Sequence, residues 1–283
     1  MQREGLKQTN QKKSGKKAAR LRLFLILAGG LMVLSLFAPF FCPNDPYATS
    51  SEVMNQAPNW QFPMGTDRYG RCICSRVLMG ARTSIFSAIA LVAITFLIGT
   101  ALGLLAGWYG GIVDTLVMRI ADVMLAFPQM VLAIAVAGIL GGGMGNAMLA
   151  MGITGWTLYA RLVRAQVLSL KKEPYVQAAK LSGLSAGRIL WGTILPNILG
   201  PLLVNASTQI GVMMIGIAGL SFLGIGVTEP YAEWGSMINL SRAYIQLAPW
   251  AVLAPAGATV VTVMIFNYLG DCVRDYLDVE ALR

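Results

Sequence analysis

Residues 173–197, EPYVQAAKLSGLSAGRILWGTILPN, decide how the rest of the chain is understood. This polar, basic segment lies between two strongly apolar stretches, 144–167 and 198–224. Pro174 suits the first position of a helix, where its missing N–H costs nothing, and Gly183 suits the residue just past a helix end. The pattern predicts two short helices, separated by glycine and held outside a membrane between two spans.

The first short helix is predicted to present small side chains. Tyr175, Ala178, Ala179 and Ser182 share one face at i, i+3 and i+4 spacing. Small residues let another backbone approach closely, so this face suits insertion into a groove on a second protein. An ordinary solvated loop is the alternative, and the paired helices favour docking.

The composition is that of a membrane protein: 56% of residues are hydrophobic, 12% are charged, and the mean hydropathy is +0.63. Continuous apolar runs of about 20 residues favour helices over the alternating pattern of a membrane barrel. This composition does not favour a soluble enzyme core. We predict an all-α polytopic membrane protein with six transmembrane helices at residues 23–41, 84–108, 119–140, 144–167, 198–224 and 250–270.

Charge predicts the orientation. Eight of the 22 basic residues precede the first span, opposed only by Glu4, so the net charge of +9 indicates positive-inside anchoring and not nucleic-acid binding. Both termini are then cytoplasmic. The predicted layout is a basic cytoplasmic tail (1–22), a first transmembrane helix (23–41), an extracytoplasmic loop (42–83), a five-helix core (84–270) with a coupling loop at 171–197, and a cytoplasmic C-terminus (271–283). The first span exceeds a usual signal-peptide core, so we expect it to stay uncleaved.

The outer loop contains four arginines, at 68, 71, 76 and 82, although positive charge is expected inside. We therefore predict structural partners for them or a position at the interface. Whether the loop caps the helix bundle or docks an external partner stays open. Cys72 and Cys74, with Cys42 nearby, form a Cys-x-Cys pattern in a chain without histidine, which is a poor zinc framework. We expect unpaired thiols and no metal.

Specific motifs carry a family resemblance. QAAKLSG at 177–183, followed by LPN at 195–197, resembles the EAA loop of ABC importer permeases. Almost the whole chain is similar to the C-type permease subunit of the peptide and nickel importer family, and the segments that match are GTDRYGR (65–71), SRVLMGAR (75–82), DTLVMRIADVMLAFP (114–128), GWTLYARLVR (155–164), SFLGIGV (221–227) and FNYLGDCVRDYLD (266–278). Three positions depart from the family pattern: Gln177 replaces the glutamate of the loop, Thr193 a common isoleucine, and Cys72 a usual aspartate.

The resemblance implies half of a pore in a bacterial or archaeal plasma membrane. Its implied partners are a B-type permease subunit in a heterodimer, two cytoplasmic ATP-binding subunits, an extracytoplasmic substrate-binding protein and membrane lipid. No G-x-x-x-x-G-K-[ST] motif occurs here, so ATP and Mg are expected on the partner ATPases, with no cofactor on this chain and no catalytic residue. The residues implied in ATPase coupling are Glu173, Pro174, Tyr175, Gln177, Ala178, Ala179, Gly183, Leu195 and Pro196.

The translocation pathway and the substrate are less constrained. The fifth span contains three polar residues, Asn205, Thr208 and Gln209. Such residues line a water-filled pathway, or they form hydrogen bonds between helices. Glu229 and Glu233 follow this span, as solvated loop charges or as groups that attract cations. The run at 232–245 is closer to nickel-type than to dipeptide-type subunits, so we expect nickel or a nickel chelate, with a dipeptide or oligopeptide as the alternative.

Two other classes fit the residues less well. A secondary transporter or channel is expected to carry intramembrane carboxylates or an inverted repeat, whereas Asp114, Asp122 and Asp271 lie near predicted span ends. A membrane-embedded enzyme needs a nucleophile and base or a metal constellation, which this chain does not offer.

Overall fold

The long apolar runs form helices, since only a helix satisfies every backbone group within its own segment in hydrocarbon. The computed structural model describes residues 2–280, and side chains from 17 to 277. Parts of the predicted tail (1–22) and of the predicted C-terminal segment (271–283) therefore lie outside the described residues. Within 2–280 the chain forms no β-strand, and the helices are α1 (Gln2–Leu36), α2 (Ala38–Phe41), α3 (Ile73–Tyr109), α4 (Gly111–Leu125), α5 (Gln129–Leu140), α6 (Met144–Leu170), α7 (Pro174–Leu181), α8 (Ala186–Ile189), α9 (Leu195–Phe222), α10 (Trp234–Ser241) and α11 (Trp250–Glu280).

Four stretches of described helix are long and apolar enough to cross a membrane: Lys17–Leu36, Ile73–Tyr109, Ala186–Phe222 and Trp250–Leu277. The pair α4 and α5 makes a fifth if it is counted as one broken span. Helix α6 falls outside this group because glycine, threonine and arginine dilute its apolar residues. The chain is an all-α polytopic membrane protein, while the number of six crossings stays a prediction.

The prediction of a single helix over 119–140 is wrong, because two helices, α4 and α5, occupy this region. Helix α4 starts earlier, at Gly111, and a bend of 90° separates it from α5. Pro128 is the N-cap of α5. Proline lacks a backbone N–H and disfavours helical geometry in the residue before it, which ends α4 at this point.

The structure also shows no helix boundary between the predicted coupling loop, which ends at 197, and the predicted fifth span, which starts at 198. Residues 186–222 run as one helical stretch through α8, a π-helical turn at Leu190–Ile194, and α9. Pro196 lies in the first turn of α9, directly after the wider π-turn. A π-turn relaxes the spacing of the backbone hydrogen bonds, so the chain passes the proline without ending the helix. The fifth span therefore continues into the loop that was predicted to end at 197.

Helix α3 begins at Ile73, eleven residues before the predicted span. Its 37 residues measure about 55 Å, against about 30 Å of hydrocarbon, so its ends extend beyond the bilayer core. It packs on α6 through glycines one turn apart: an added Cβ at Gly99 or Gly103 lies 2.4 or 2.6 Å from a backbone oxygen of α6, and at Gly107 2.7 Å from a side-chain carbon. Small residues at this spacing let two membrane helices approach closely.

Candidate coupling surface

Helix α7 begins as the sequence predicts. Glu173 has extended backbone angles (φ −66°, ψ 141°) and is the N-cap, with Pro174 in the first turn. The carbonyl of Glu173 accepts hydrogen bonds from the N–H groups of Val176 and Gln177, both at 3.1 Å. The helix start therefore depends on backbone contacts, because no side chain caps it.

The C-terminal end of α7 is a Schellman motif. Gly183 has a φ of +76°, and its N–H donates to the carbonyl of Lys180 at 3.0 Å, while the N–H of Leu184 donates to the carbonyl of Ala179 at 3.2 Å. This pair of bonds satisfies helix carbonyls that otherwise lack partners. Gly183 is therefore required by backbone geometry, as its predicted role as a helix stop implies.

One side of α7 is fixed to the membrane helices. Val176 is fully buried and Ala179 is half-buried in a hydrophobic cluster built from α3, α6, α8 and α9. The ammonium groups of Lys171 and Lys180 lie 5.6 and 4.6 Å from the ring centroid of Trp108, near the end of α3. Lys171 also donates to the backbone carbonyl of Trp108 at 2.5 Å. These contacts join α7 to the ends of several membrane helices at once.

The opposite side of α7 is exposed. Pro174, Gln177, Ala178 and Leu181 follow the i, i+3, i+4, i+7 pattern of one helix face, and all are exposed. Leu181 is 90% exposed. The sequence prediction omitted Leu181, although its spacing from Pro174 and Ala178 already placed it on this face.

The other predicted coupling residues occupy different places. Tyr175 flanks the exposed face at 45% exposure, and the amide of Gln177 donates to the Lys171 carbonyl at 2.6 Å. Leu195 packs against the same hydrophobic cluster as Val176. Pro196 is exposed on α9.

The predicted pathway residues lie on α9. Asn205, Thr208 and Gln209 are all half-buried. Thr208 donates to the carbonyl of Asn205 at 2.9 Å, and its methyl lies 2.6 Å from the Cβ position of Gly270, at the α9–α11 contact. At least Thr208 therefore contributes to helix packing, and a pathway role for this set stays a prediction.

Two of the four arginines predicted to have structural partners, Arg71 and Arg76, lie close to carboxylates. Arg71 binds Asp67 at 2.7 Å and Glu229 at 3.0 Å, and the Nε of Arg76 lies 3.9 Å from Asp67. These contacts join the outer loop to the segment before α10. The outer loop thus caps the helix bundle through paired charges, and docking of an external partner stays open.

Glu233 is a structural carboxylate that the sequence reading did not identify. It is fully buried and caps α10 by accepting the N–H groups of Gly235 and Ser236 at 2.9 and 2.8 Å, and the hydroxyl of Ser84 donates to it at 3.2 Å. Burial raises the pKa of Glu233 above its usual range, although these hydrogen bonds act in the opposite direction. The interpretation of Glu233 as a solvated loop charge is wrong.

The cysteines of the outer loop form no disulfide within the described residues. Cys42, Cys72 and Cys74 are free, and the thiol of Cys42 donates to the Ser75 carbonyl at 3.6 Å. Within the described residues, no three acidic, cysteine or histidine side chains form a group able to hold a metal ion.

Comparison with known proteins places this geometry in a family. Residues 99–280 match the family described as binding-protein-dependent transport system inner membrane component. The chain belongs to this family. It is 41% identical over 254 residues to the dipeptide transport system permease protein DppC of Alkalihalophilus pseudofirmus, covering 90% of this chain and 84% of the relative.

Other relatives carry different names. The nickel transport system permease protein NikC of Escherichia coli K12 is 39% identical (91% of this chain, 93% of the relative), and the glutathione transport system permease protein GsiD of Pectobacterium atrosepticum is 42% identical (91% and 88%). A chain of the inward-facing MetNI methionine ABC transporter shares the fold, with a TM-score of 0.51 at 19% identity over 70% of this chain and 94% of that one.

These matches confirm the peptide and nickel importer family predicted from the motifs. The chain is a multi-pass membrane permease subunit of an ABC importer and not an ATPase, since ATP hydrolysis lies on partner subunits. Such a permease works with a second permease, ATP-binding and substrate-binding partners.

Proposed function

We propose that this chain forms half of the translocation pore of an ATP-driven importer and couples to cytoplasmic ATPases through the exposed face of α7. The observation that carries the proposal is a helix with two different sides. Val176 and Ala179 are packed against the membrane helices, while Ala178 and Leu181 are exposed for a partner. The partners we propose are a B-type permease, two ATPases that bind ATP and Mg, and an extracytoplasmic binding protein, with both termini cytoplasmic.

The packing supports a simple mechanism. The hydrophobic cluster beneath α7 contains Trp108 of α3, Val167 of α6 and Ile198 of α9. When the ATPase dimer closes and displaces α7, these three helices move with it because their side chains are packed together. Rigid helices then carry the displacement to the pore, which opens alternately to each side.

A bulky residue on the exposed face tests this mechanism. Ala178 lies between Pro174 and Leu181 on that face, so Ala178→Trp prevents close approach of the ATPase without disturbing Val176. We expect at least a tenfold loss of uptake at an unchanged membrane level of the chain. Ala57→Trp, a matched change at an exposed alanine of the outer loop, should leave uptake intact. Normal uptake by the Ala178→Trp variant contradicts the coupling role of α7.

For the substrate we propose nickel or a nickel chelate, based on the nickel-like run at 232–245. A dipeptide or oligopeptide is the second candidate, favoured by the relative named for dipeptide transport at 41% identity. Radiolabelled nickel uptake, with and without competing peptides, separates the two in cells that lack only this subunit and in cells where it is restored. Nickel uptake that depends on the subunit and is not reduced by peptides supports nickel. Unchanged nickel uptake with loss of peptide uptake assigns the chain to peptides.

A further inference from the structure

A small cavity lies where the outer loop meets α3, α10 and α11. Its volume is about 10 Å³, at the lower limit for one water molecule, so it has room for a single small occupant. Three arginines, Arg68, Arg71 and Arg76, line it, together with Asp67 and Ser241. None of these residues takes part in the coupling surface of α7.

The most deeply buried of these arginines has a free donor. Arg76 is 1% exposed, and its Nη1 donates to the carbonyls of Pro46 and Pro230 at 3.2 and 3.3 Å. Its Nη2 is buried and has no hydrogen-bond partner in the described part of the chain. Buried donors of a charged group are nearly always paired, so this nitrogen indicates a ligand.

A second donor at the same cavity is also unpaired. The Nε of Arg68 is buried without a partner among the described residues, while its Nη2 donates to the hydroxyl of Tyr69. Arg71, by contrast, is occupied by Asp67 at 2.7 Å and Glu229 at 3.0 Å. The two free donors therefore belong to Arg68 and Arg76, whereas the guanidinium of Arg71 bridges two carboxylates.

The charges around the cavity do not balance. Three guanidinium groups face two carboxylates, Asp67 and Glu229, which leaves one positive charge. Glu229 is partly exposed, at 37% for its side chain, so it neutralises the buried arginines less than a buried carboxylate does. A water molecule can accept from the free donors, but it leaves this charge in place. A monatomic anion does both.

We propose that the cavity binds a single halide ion, chloride under physiological conditions, held by the free N–H groups of Arg76 and Arg68. The ion completes the charge balance of the cluster. Because the outer loop, α3, α10 and α11 all contribute to the cavity, the bound ion holds these four segments together on the predicted extracytoplasmic side. This inference is independent of the proposed coupling function and of the substrate.

A carboxylate fixed in the cavity provides the sharpest test. Ser241 lines the cavity from the end of α10 and is 9% exposed, so Ser241→Asp places a tethered anion beside the arginines. Ser241→Asn has nearly the same shape without the charge. The full chain in its complex, reconstituted in lipid nanodiscs, is titrated with sodium chloride against sodium gluconate at constant ionic strength, and thermal unfolding is recorded.

We expect the wild-type midpoint to rise saturably by a few degrees with chloride, as for any ligand that binds only the folded state. The Ser241→Asn variant should keep this rise with chloride. The unfolding midpoint of the Ser241→Asp variant should not change with chloride and should equal the wild-type midpoint at saturating chloride. In crystals soaked in bromide, we expect an anomalous scattering peak in the cavity of the wild type. An equal response to gluconate, or no bromide peak, overturns the proposal and assigns the cavity to water.

Discussion

Single residues in the coupling segment have separate tasks. Gly183 ends α7 with a φ of +76°, and Val176 packs the helix against the membrane helices. The small side chain of Ala178 leaves room on the exposed face for another protein to approach the helix backbone. The sequence predicted the glycine and the alanine, because turn chemistry and side-chain size are local properties. It did not identify Leu181, although the helical spacing from Pro174 and Ala178 places that residue on the exposed face. It also did not identify Glu233 as buried, because that burial depends on a contact with the distant Ser84.

The backbone role of Gly183 predicts a specific result. An L-residue at this φ costs about 1–2 kcal/mol, so Gly183→Ala should loosen the last turn of α7 and reduce uptake several-fold. Apart from its chain neighbours, no atom of the described residues lies within 4 Å of the Cβ position of Gly183, so crowding does not contribute. Amide hydrogen exchange over residues 174–184 measures the loosening.

Gly187 provides the control for this prediction. It lies in α8, has no positive φ, and also has an open Cβ position. Gly187→Ala should leave both exchange and uptake unchanged. Equal effects of the two substitutions would mean that the conformation of Gly183 is not what holds the helix end.

The helices of this chain follow the long apolar runs of the sequence, but their ends and breaks were not predicted. Pro128 ends a helix, whereas Pro196 lies inside a continuous helical stretch. Both prolines have the same local chemistry. The different effect of the two prolines arises from the π-turn before Pro196 and from tertiary contacts. Neither of these can be predicted from a local residue pattern.

The contact between α3 and α6 gives a prediction at the scale of helices. An added Cβ at Gly103 lies 2.6 Å from the carbonyl oxygen of Ala160, so Gly103→Ala must push the two backbones apart. We expect a loss of about 1–3 kcal/mol of stability, typical of overpacking, measured as a lower unfolding temperature in nanodiscs.

Gly152 on α6 is the matched control, because an added Cβ there lies 3.6 Å from a Leu91 methyl, an ordinary contact. Gly152→Ala should change stability little. If Gly103→Ala is equally harmless, the close approach of α3 and α6 is not a requirement of the fold.

At the scale of the whole molecule, two different sets of contacts lie in separate places. Paired arginines and carboxylates join the outer loop to α3 and the segment before α10, while a hydrophobic cluster joins α7 to α3, α6 and α9. Helix α3 contributes residues both to the ion pairs of the outer loop and to the hydrophobic cluster at α7.

Composition and motifs predicted the membrane class and the family, because these depend on many residues at once. The substrate could not be predicted this way, since relatives named for dipeptide, nickel and glutathione transport have similar identities of 39–42%.

The proposed function requires that ATP bound by partner subunits drives transport through this chain. Substrate accumulation is measured in proteoliposomes that contain the assembled importer, supplied either with Mg and ATP or with an imposed proton or sodium gradient alone. We expect accumulation only with ATP, and its loss when the ATPases are omitted. Accumulation driven by an ion gradient without ATPases would contradict it and assign the chain to the secondary transporters.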